Sequence, residues 1–227
     1  MKFLVCFVMF LSKAVAILDL SGKVFIFPEE TETAHVRLTV GQSSFSTITV
    51  CHRTFTDLTR SHAFFSLATP SNQNEFLTFW NGDQKKIMPH HNSPVSYTVD
   101  YTPNVWHSMC TTWDSSTGLV QLWFNGRLLS KKYISDSWIN GLPIVILGQE
   151  QDSYGGGFDI RQSFTGMISD VHMWDYELSS CEIQSYVNDQ NYTPGNIINW
   201  RALDFQITGR VLVEYKQVPC NLPIPFY

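Results

Sequence analysis

From Lys23 onward the chain alternates apolar and polar side chains with a period of two. Val24-Phe25-Ile26-Phe27 ends at Pro28; Val36, Leu38 and Val40 alternate with Arg37 and Thr39; Ser46-Thr47-Ile48-Thr49-Val50 runs into Cys51. Such alternation predicts strands with one face in a core and the other in water. Further short runs follow at Phe64–Leu67, Phe76–Trp80, Tyr97–Asp100, Met109–Trp113 and Leu119–Phe124, with turn-forming residues between most of them. Asn125-Gly126 predicts a hairpin, because both central positions of a type I′ turn need positive φ and this pair supplies it cheaply. One segment reads as helix: Ser179-Ser180-Cys181-Glu182 has the spacing of a capping box, and Ile183–Val187 continues it for about two turns. After Pro194, strand-like pieces are expected around Ile197–Trp200 and Phe205–Val213. Many short strands with a single short helix predict an all-β, two-sheet antiparallel sandwich in one domain, residues 17–227. The Pro-rich end, about 216–227, is read as a tail, since Pro donates no ladder hydrogen bond.

Residues 1–16 stand apart from this pattern. Lys2 precedes the apolar run Phe3–Leu11, too short to span a bilayer, and Ala14-Val15-Ala16 has the form of a cleavage site. A secretory signal peptide and an extracellular product are expected. Loss of Lys2 and Lys13 takes the formal net charge from −5 to −7, which excludes nucleic-acid binding through a general positive field. No later segment is long and apolar enough to cross a membrane. Cys6 leaves with the signal. Cys51, Cys110, Cys181 and Cys220 remain, and four cysteines allow three pairings that sequence arithmetic does not separate.

Candidate chemistry concentrates in Gly148–Gly166. Glu150, Gln151, Asp152, Asp159 and Gln162 supply oxygen donors close together, and Gly155, Gly156 and Gly157 let the backbone turn sharply between them. Like charges held this close need a cation to neutralise them or a solvated surface to dilute them. Calcium, which takes about 6–8 oxygen ligands in flexible geometry, suits carboxylates, amides and carbonyls alike; an acidic surface loop that binds nothing is the alternative. A jelly-roll glycoside hydrolase of the Glu-x-Asp-x-x-Glu type would need a second glutamate where Gly155 stands, so catalysis is not expected. His90-His91, in a segment read as the loop Lys85–Pro94, lacks a third ligand at metal-site spacing and is read as solvated.

Gly148-Gln149-Glu150-Gln151-Asp152-Ser153-Tyr154-Gly155-Gly156 resembles the calcium loop of the short pentraxins. Phe25-Ile26-Phe27-Pro28-Glu29, Thr49-Val50-Cys51, Met173-Trp174-Asp175 and Asn199-Trp200-Arg201-Ala202-Leu203 resemble other segments of that family, so the likeness covers almost the whole mature chain. The family's His-x-Cys-x-Ser/Thr-Trp-x-Ser signature is met from Cys110 to Ser115, with Ser108 in the histidine's place and His107 one position earlier.

The resemblance implies a lectin-like jelly roll, a Cys51–Cys110 disulfide and assembly as a ring, usually of five subunits. Apart from the resemblance, Cys181 and Cys220 are expected to pair within one chain, since a free thiol is uncommon in a secreted protein, with pairing between subunits or no pairing as the alternatives. Two calcium ions per subunit are implied, the first on Asn74, Glu150, the main-chain carbonyl of Gln151, and Asp152, the second on Glu150, Asp152, Asp159 and Gln162. Gln73 replaces the aspartate that precedes the asparagine in the family, removing one negative charge. Phe79 matches the aromatic position that packs against a bound choline in family members that bind it. Lys85 and Lys86 would oppose choline if they lined the pocket. The implied function is calcium-dependent binding of phosphate- or carbohydrate-bearing surfaces (phosphocholine, phosphoethanolamine and similar groups) in innate immunity, with presentation to complement or phagocyte receptors. A calcium-edged adhesion module is the remaining alternative.

Overall fold

The computed structural model describes residues 18–217. The expected signal peptide, Cys220 and most of the Pro-rich end lie outside the described residues. Two antiparallel sheets face each other. In spatial order the first holds Arg127–Leu128, Leu119–Phe124, His107–Asp114, Thr47–Phe55, Gly166–Trp174, Lys23–Phe27 and Leu212–Tyr215, with Lys132–Tyr133 also paired to Leu119–Phe124. The second holds Phe205–Thr208, His35–Leu38, Ile144–Leu147, His62–Thr69, Asn72–Asn81, Lys86–His91 and Ser93–Pro94, with Tyr97–Thr98 also on Lys86–His91. Strands distant in sequence lie side by side in both sheets, as a jelly roll requires.

Phe25, Phe64, Phe65, Phe76, Trp113 and Trp200 are buried in the main core cluster. A smaller cluster of Cys51, Cys110, Trp123, Trp174, Leu178, Ile183 and Tyr186 joins the first sheet to the helix Ser180–Val187. Cys51 and Cys110 stand opposite each other in register, with Cα atoms 4.1 Å apart, and form the disulfide. The helix begins as its spacing predicts: the Ser179 hydroxyl accepts from the Glu182 N–H, and the Glu182 carboxylate accepts from the Ser179 N–H. Asn125 and Gly126 both have positive φ, 49° and 75°, and close the expected hairpin.

Three expectations are corrected. The loop Lys85–Pro94 is instead largely strand: Lys86–His91 pairs along Leu77–Asn81, and Ser93–Pro94 folds back on it. Pro89 is tolerated because its carbonyl accepts from Val95, on the side away from that neighbour, so its missing N–H removes no bond from the main ladder. Ile197–Trp200 is not a strand. Ile198 makes a single bridge to Met173, and the Asn199 side chain accepts from the Arg201 N–H, starting the short 3-10 turn Trp200–Ala202. Phe205–Val213 is two strands in different sheets. The chain crosses between them at Gly209, whose φ is +70° and where an added Cβ would lie 2.9 Å from Ala34.

Candidate metal centre

The buried strand Ile144–Leu147 lies between His35–Leu38 and His62–Thr69 and delivers the acidic loop. Gly148 makes the turn at φ +90°; an added Cβ would meet the Phe27 ring at 2.2 Å, so no side chain fits there. Two buried glutamines then fix the loop on either side of Glu150. The Gln149 amide donates to the carbonyls of Thr31 at 2.7 Å and Ala34 at 3.0 Å. The Gln151 amide donates to the carbonyls of Ser66 at 3.0 Å and Ile144 at 3.1 Å, and its oxygen accepts from the Gly155 N–H at 3.0 Å. Sequence reasoning gave Gln151 a main-chain role only, and the clamping by both side chains was missed. Burial of two glutamines beside a strand end is the signal that marks it.

Held this way, Glu150 is 4% exposed, while Asp152 is exposed at the rim. The Glu150 carboxyl is pushed up to about 7, first by burial and then by the negative charge of Asp152, with Asp159 adding to it and Asn74 pulling it back. Glu150 Oε2, Asn74 Oδ1 and Gln162 Oε1 are buried with no hydrogen-bond donor. Unpaired buried acceptors are costly, and the orphaned oxygens of Glu150 and Asn74, whose side chains interact, sit with the Asp152 and Asp159 carboxylates where positive charge is wanted. The donor set is all oxygen. It fits a hard cation such as calcium.

The other expected residues are placed as follows. Asn74 lies in the strand Asn72–Asn81, its N–H on the Asn72 side chain at 3.0 Å. Gln73 beside it is exposed. Asp159 caps the 3-10 turn Ile160–Gln162 and forms an ion pair with Arg161 at 2.6 Å, which holds its carboxyl below the usual range. Gly155, at φ +81°, stands where a glycosidase of the Glu-x-Asp-x-x-Glu type would need its second glutamate.

Phe79 is half-buried, opposite Met88 in the ladder and edge-on to His90 with ring centroids 6.3 Å apart. Lys85 lines a different cavity, with Leu58, Trp80 and Tyr101. The reading of both as solvated is corrected: their strand turns His91 inward and leaves His90 half-buried on the opposite face, beside Phe79. His91 is fully buried with Nδ1 2.7 Å from the Glu75 carbonyl and Nε2 2.7 Å from the Ser137 carbonyl, and burial pushes His90 down to about 4. Among the described residues no group of three or more His, Cys, Asp and Glu is set to hold a metal, so any cation here depends on amide and carbonyl oxygens as well. Cys181 is exposed on the helix; its expected partner, Cys220, lies outside the described residues.

A jelly-roll sandwich carrying an oxygen-lined acidic loop at a strand end defines a lectin-like ligand-binding protein. Comparison with known proteins narrows this. Residues 23–215 match the model of the Pentaxin family. The chain is 39% identical over 212 residues to serum amyloid P-component of Mus musculus, covering 92% of this chain and 93% of that one. It is also 39% identical over 212 residues to C-reactive protein of Xenopus laevis, covering 92% and 89%. A native heptameric SAP-like pentraxin from Limulus polyphemus superposes with a TM-score of 0.79 at 24% identity, over 90% of this chain and 100% of that one. The chain belongs to the pentraxin family, a family of non-enzymatic, calcium-binding recognition proteins. Among the described residues no helix is long and apolar enough to cross a membrane.

Proposed function

We propose that the protein is secreted and binds phosphate- or carbohydrate-bearing surfaces through two calcium ions per subunit, as a homo-oligomeric ring. The carrying observation is the buried, donorless Oε2 of Glu150, on a carboxyl already forced up to about 7 and interacting with Asn74, whose Oδ1 is likewise buried and donorless. Asn74, Glu150, the Gln151 carbonyl and Asp152 would hold the first ion; Glu150, Asp152, Asp159 and Gln162 the second. Bound calcium would supply positive charge to an anionic oxygen of the target. Glu150 anchors the arrangement from inside, Asp152 opens it to solvent, and the glutamine clamps keep the loop preorganised. Asp159 has to exchange Arg161 for the ion, and Gln73 contributes no charge, so both weaken the pair of sites relative to a fully acidic set. Half-exposed Phe79 is suited to the apolar part of a ligand such as phosphocholine or phosphoethanolamine.

A single calcium bridge to one small group is weak. Several sites on one face of a ring gain avidity on a repetitive surface, which suits presentation of a coated target to complement or phagocytes. Ring formation is supported by apolar side chains at both edges of the first sheet, Leu128 and Tyr133 at one and Leu212 and Tyr215 at the other, each at least 41% exposed. Different edges meeting head to tail close a ring when the rotation fits, and five subunits is the expected number. Retention on phosphocholine, phosphoethanolamine and agarose matrices, followed by sedimentation of the eluate, tests this reading. Chelator-reversible retention of an oligomer is expected; retention unchanged by EDTA would overturn it.

A further inference from the structure

Asn74 sits where the ladders of the second sheet do not hold the chain. The ladder to His62–Thr69 pairs Leu67 with Phe76 and Thr69 with Asn72, so residues 73–75 bulge out against the single residue Ala68; the ladder to Lys86–His91 begins only at Leu77. A bulge re-aims side chains, but its extra residues forgo the ladder bonds that would fix them. Within this bulge Asn74 Oδ1 is buried without a donor, and the Asn74 side chain interacts with Glu150.

Side chains take over the bracing. The Asn74 main-chain N–H donates to Asn72 Oδ1 at 3.0 Å, the Asn72 amide donates to Asn92 Oδ1 at 3.1 Å, and the Asn92 amide donates to the Ser135 hydroxyl at 2.9 Å. Both asparagine amides accept from the link before and donate to the link after, so each uses its oxygen and its nitrogen. Ser135 is a firm anchor: it is buried, its carbonyl accepts from the buried Trp113 indole at 2.7 Å, and its hydroxyl also accepts from the Ser137 N–H at 3.1 Å. A second tie runs alongside, with one ring nitrogen of His91 2.7 Å from the Glu75 carbonyl and the other 2.7 Å from the Ser137 carbonyl. Asn92 itself is exposed and makes the turn between Lys86–His91 and Ser93–Pro94 at φ 61°, a left-handed conformation that asparagine and glycine adopt at little cost.

We propose that Asn72 and Asn92 are positioning residues for the first calcium ion: their amides brace the bulge against Ser135 and so aim the Asn74 oxygen at the ion. The proposal rests on the reading of Asn74 as a calcium ligand. Asn92 acts through Asn74 and is not itself a ligand.

The test is calorimetric titration of calcium chloride into chelator-stripped full protein, as wild type, Asn92→Gly, Asn74→Ala and the double variant. Glycine keeps the φ of the turn and deletes only the relay. Asn92→Gly is expected to weaken calcium binding roughly three- to tenfold, the worth of one hydrogen-bonded link, and to have no further effect in the Asn74→Ala background. With terbium in place of calcium, luminescence lifetimes in H₂O and D₂O should show more water on the ions in Asn92→Gly than in wild type, because a displaced Asn74 leaves a coordination position to solvent. A purely structural role would lower the stability of the calcium-free protein and produce neither effect. Should Asn92→Gly fail to fold, Ser135→Ala, which cuts the relay at its far end, is expected to give the same pattern. Calcium affinity unchanged by cutting the relay, or weakened equally in the Asn74→Ala background, would overturn the proposal. A flat titration of folded wild type would overturn the calcium reading beneath it as well.

Discussion

Gln151 and Ser66, 85 residues apart in sequence, meet through three hydrogen bonds: the Gln151 main-chain N–H to the Ser66 hydroxyl at 3.3 Å, and the Gln151 amide to the Ser66 carbonyl at 3.0 Å and hydroxyl at 3.2 Å. The pair locks the acidic loop onto the second sheet and leaves the Gln151 main-chain carbonyl, the expected ligand, uninvolved in the clamp. Gln151→Leu strands the Ser66 and Ile144 carbonyls and the Gly155 N–H. A loss of about 1–3 kcal/mol is expected, with calcium affinity falling more than the affinity change in the conservative Ser66→Ala. Chemical denaturation and calcium titration of both variants check this.

Gln73 is exposed beside Asn74, so replacing it perturbs little of the fold. Gln73→Asp restores a negative charge next to the loop and should tighten calcium binding, since affinity follows ligand charge count. An unchanged calcium titration would show that Gln73 does not face the ions.

Glu150 sets a pH dependence. Its folded-state value of about 7 lies above the ordinary 4.5, so the folded form holds this proton more tightly than the unfolded chain does. Calcium-free protein therefore loses stability as pH rises from about 4.5 through 7. Calcium competes with the same proton, so its affinity should fall as pH drops below 7, with proton release on binding. Melting temperatures from pH 5 to 8, with calcium and with EDTA, should diverge progressively over this interval. Parallel curves would contradict the assignment.

Tyr133 is 61% exposed on an edge of the first sheet. Tyr133→Asp should yield smaller species on sedimentation while leaving calcium bound per subunit unchanged. Retention on a dense phosphocholine matrix should fall roughly 10²-fold, the range avidity supplies.

Cys51 and Cys110 bridge neighbouring strands under the helix. Replacing both with Ala should cost about 2–5 kcal/mol, measured by denaturation, with the calcium loop on the opposite sheet retaining its affinity once the protein is folded.

Much of the sandwich was legible because alternation reports directly on which face is buried: Val24 to Phe27 and Leu119 to Phe124 both became strands, and Asn125-Gly126 and Ser179 to Glu182 act locally through their own backbone demands. Legibility failed where a non-local fact decided the outcome. Pro89 sits in a strand because its nitrogen side faces away from Leu77–Asn81, and Gly209, lying against Ala34, divides the strand-like stretch Phe205–Val213. At the site, the carboxylates of Glu150 and Asp152 and the glycine turn could be read from spacing. Asn74, 76 residues before Glu150, could not; it entered through family resemblance, and its orphaned oxygen appears only once the strands are assembled. The ion pair of Asp159 with Arg161 was equally hidden, since nearness in sequence does not say which partner a carboxylate takes.

Calorimetric titration of calcium into chelator-stripped protein, beside Glu150→Gln, tests the central claim most directly. Saturable binding with two ions per subunit in wild type, and its loss in the variant with the fold intact, is the predicted result. A flat titration of the folded wild-type protein, or identical binding by the variant, would contradict it.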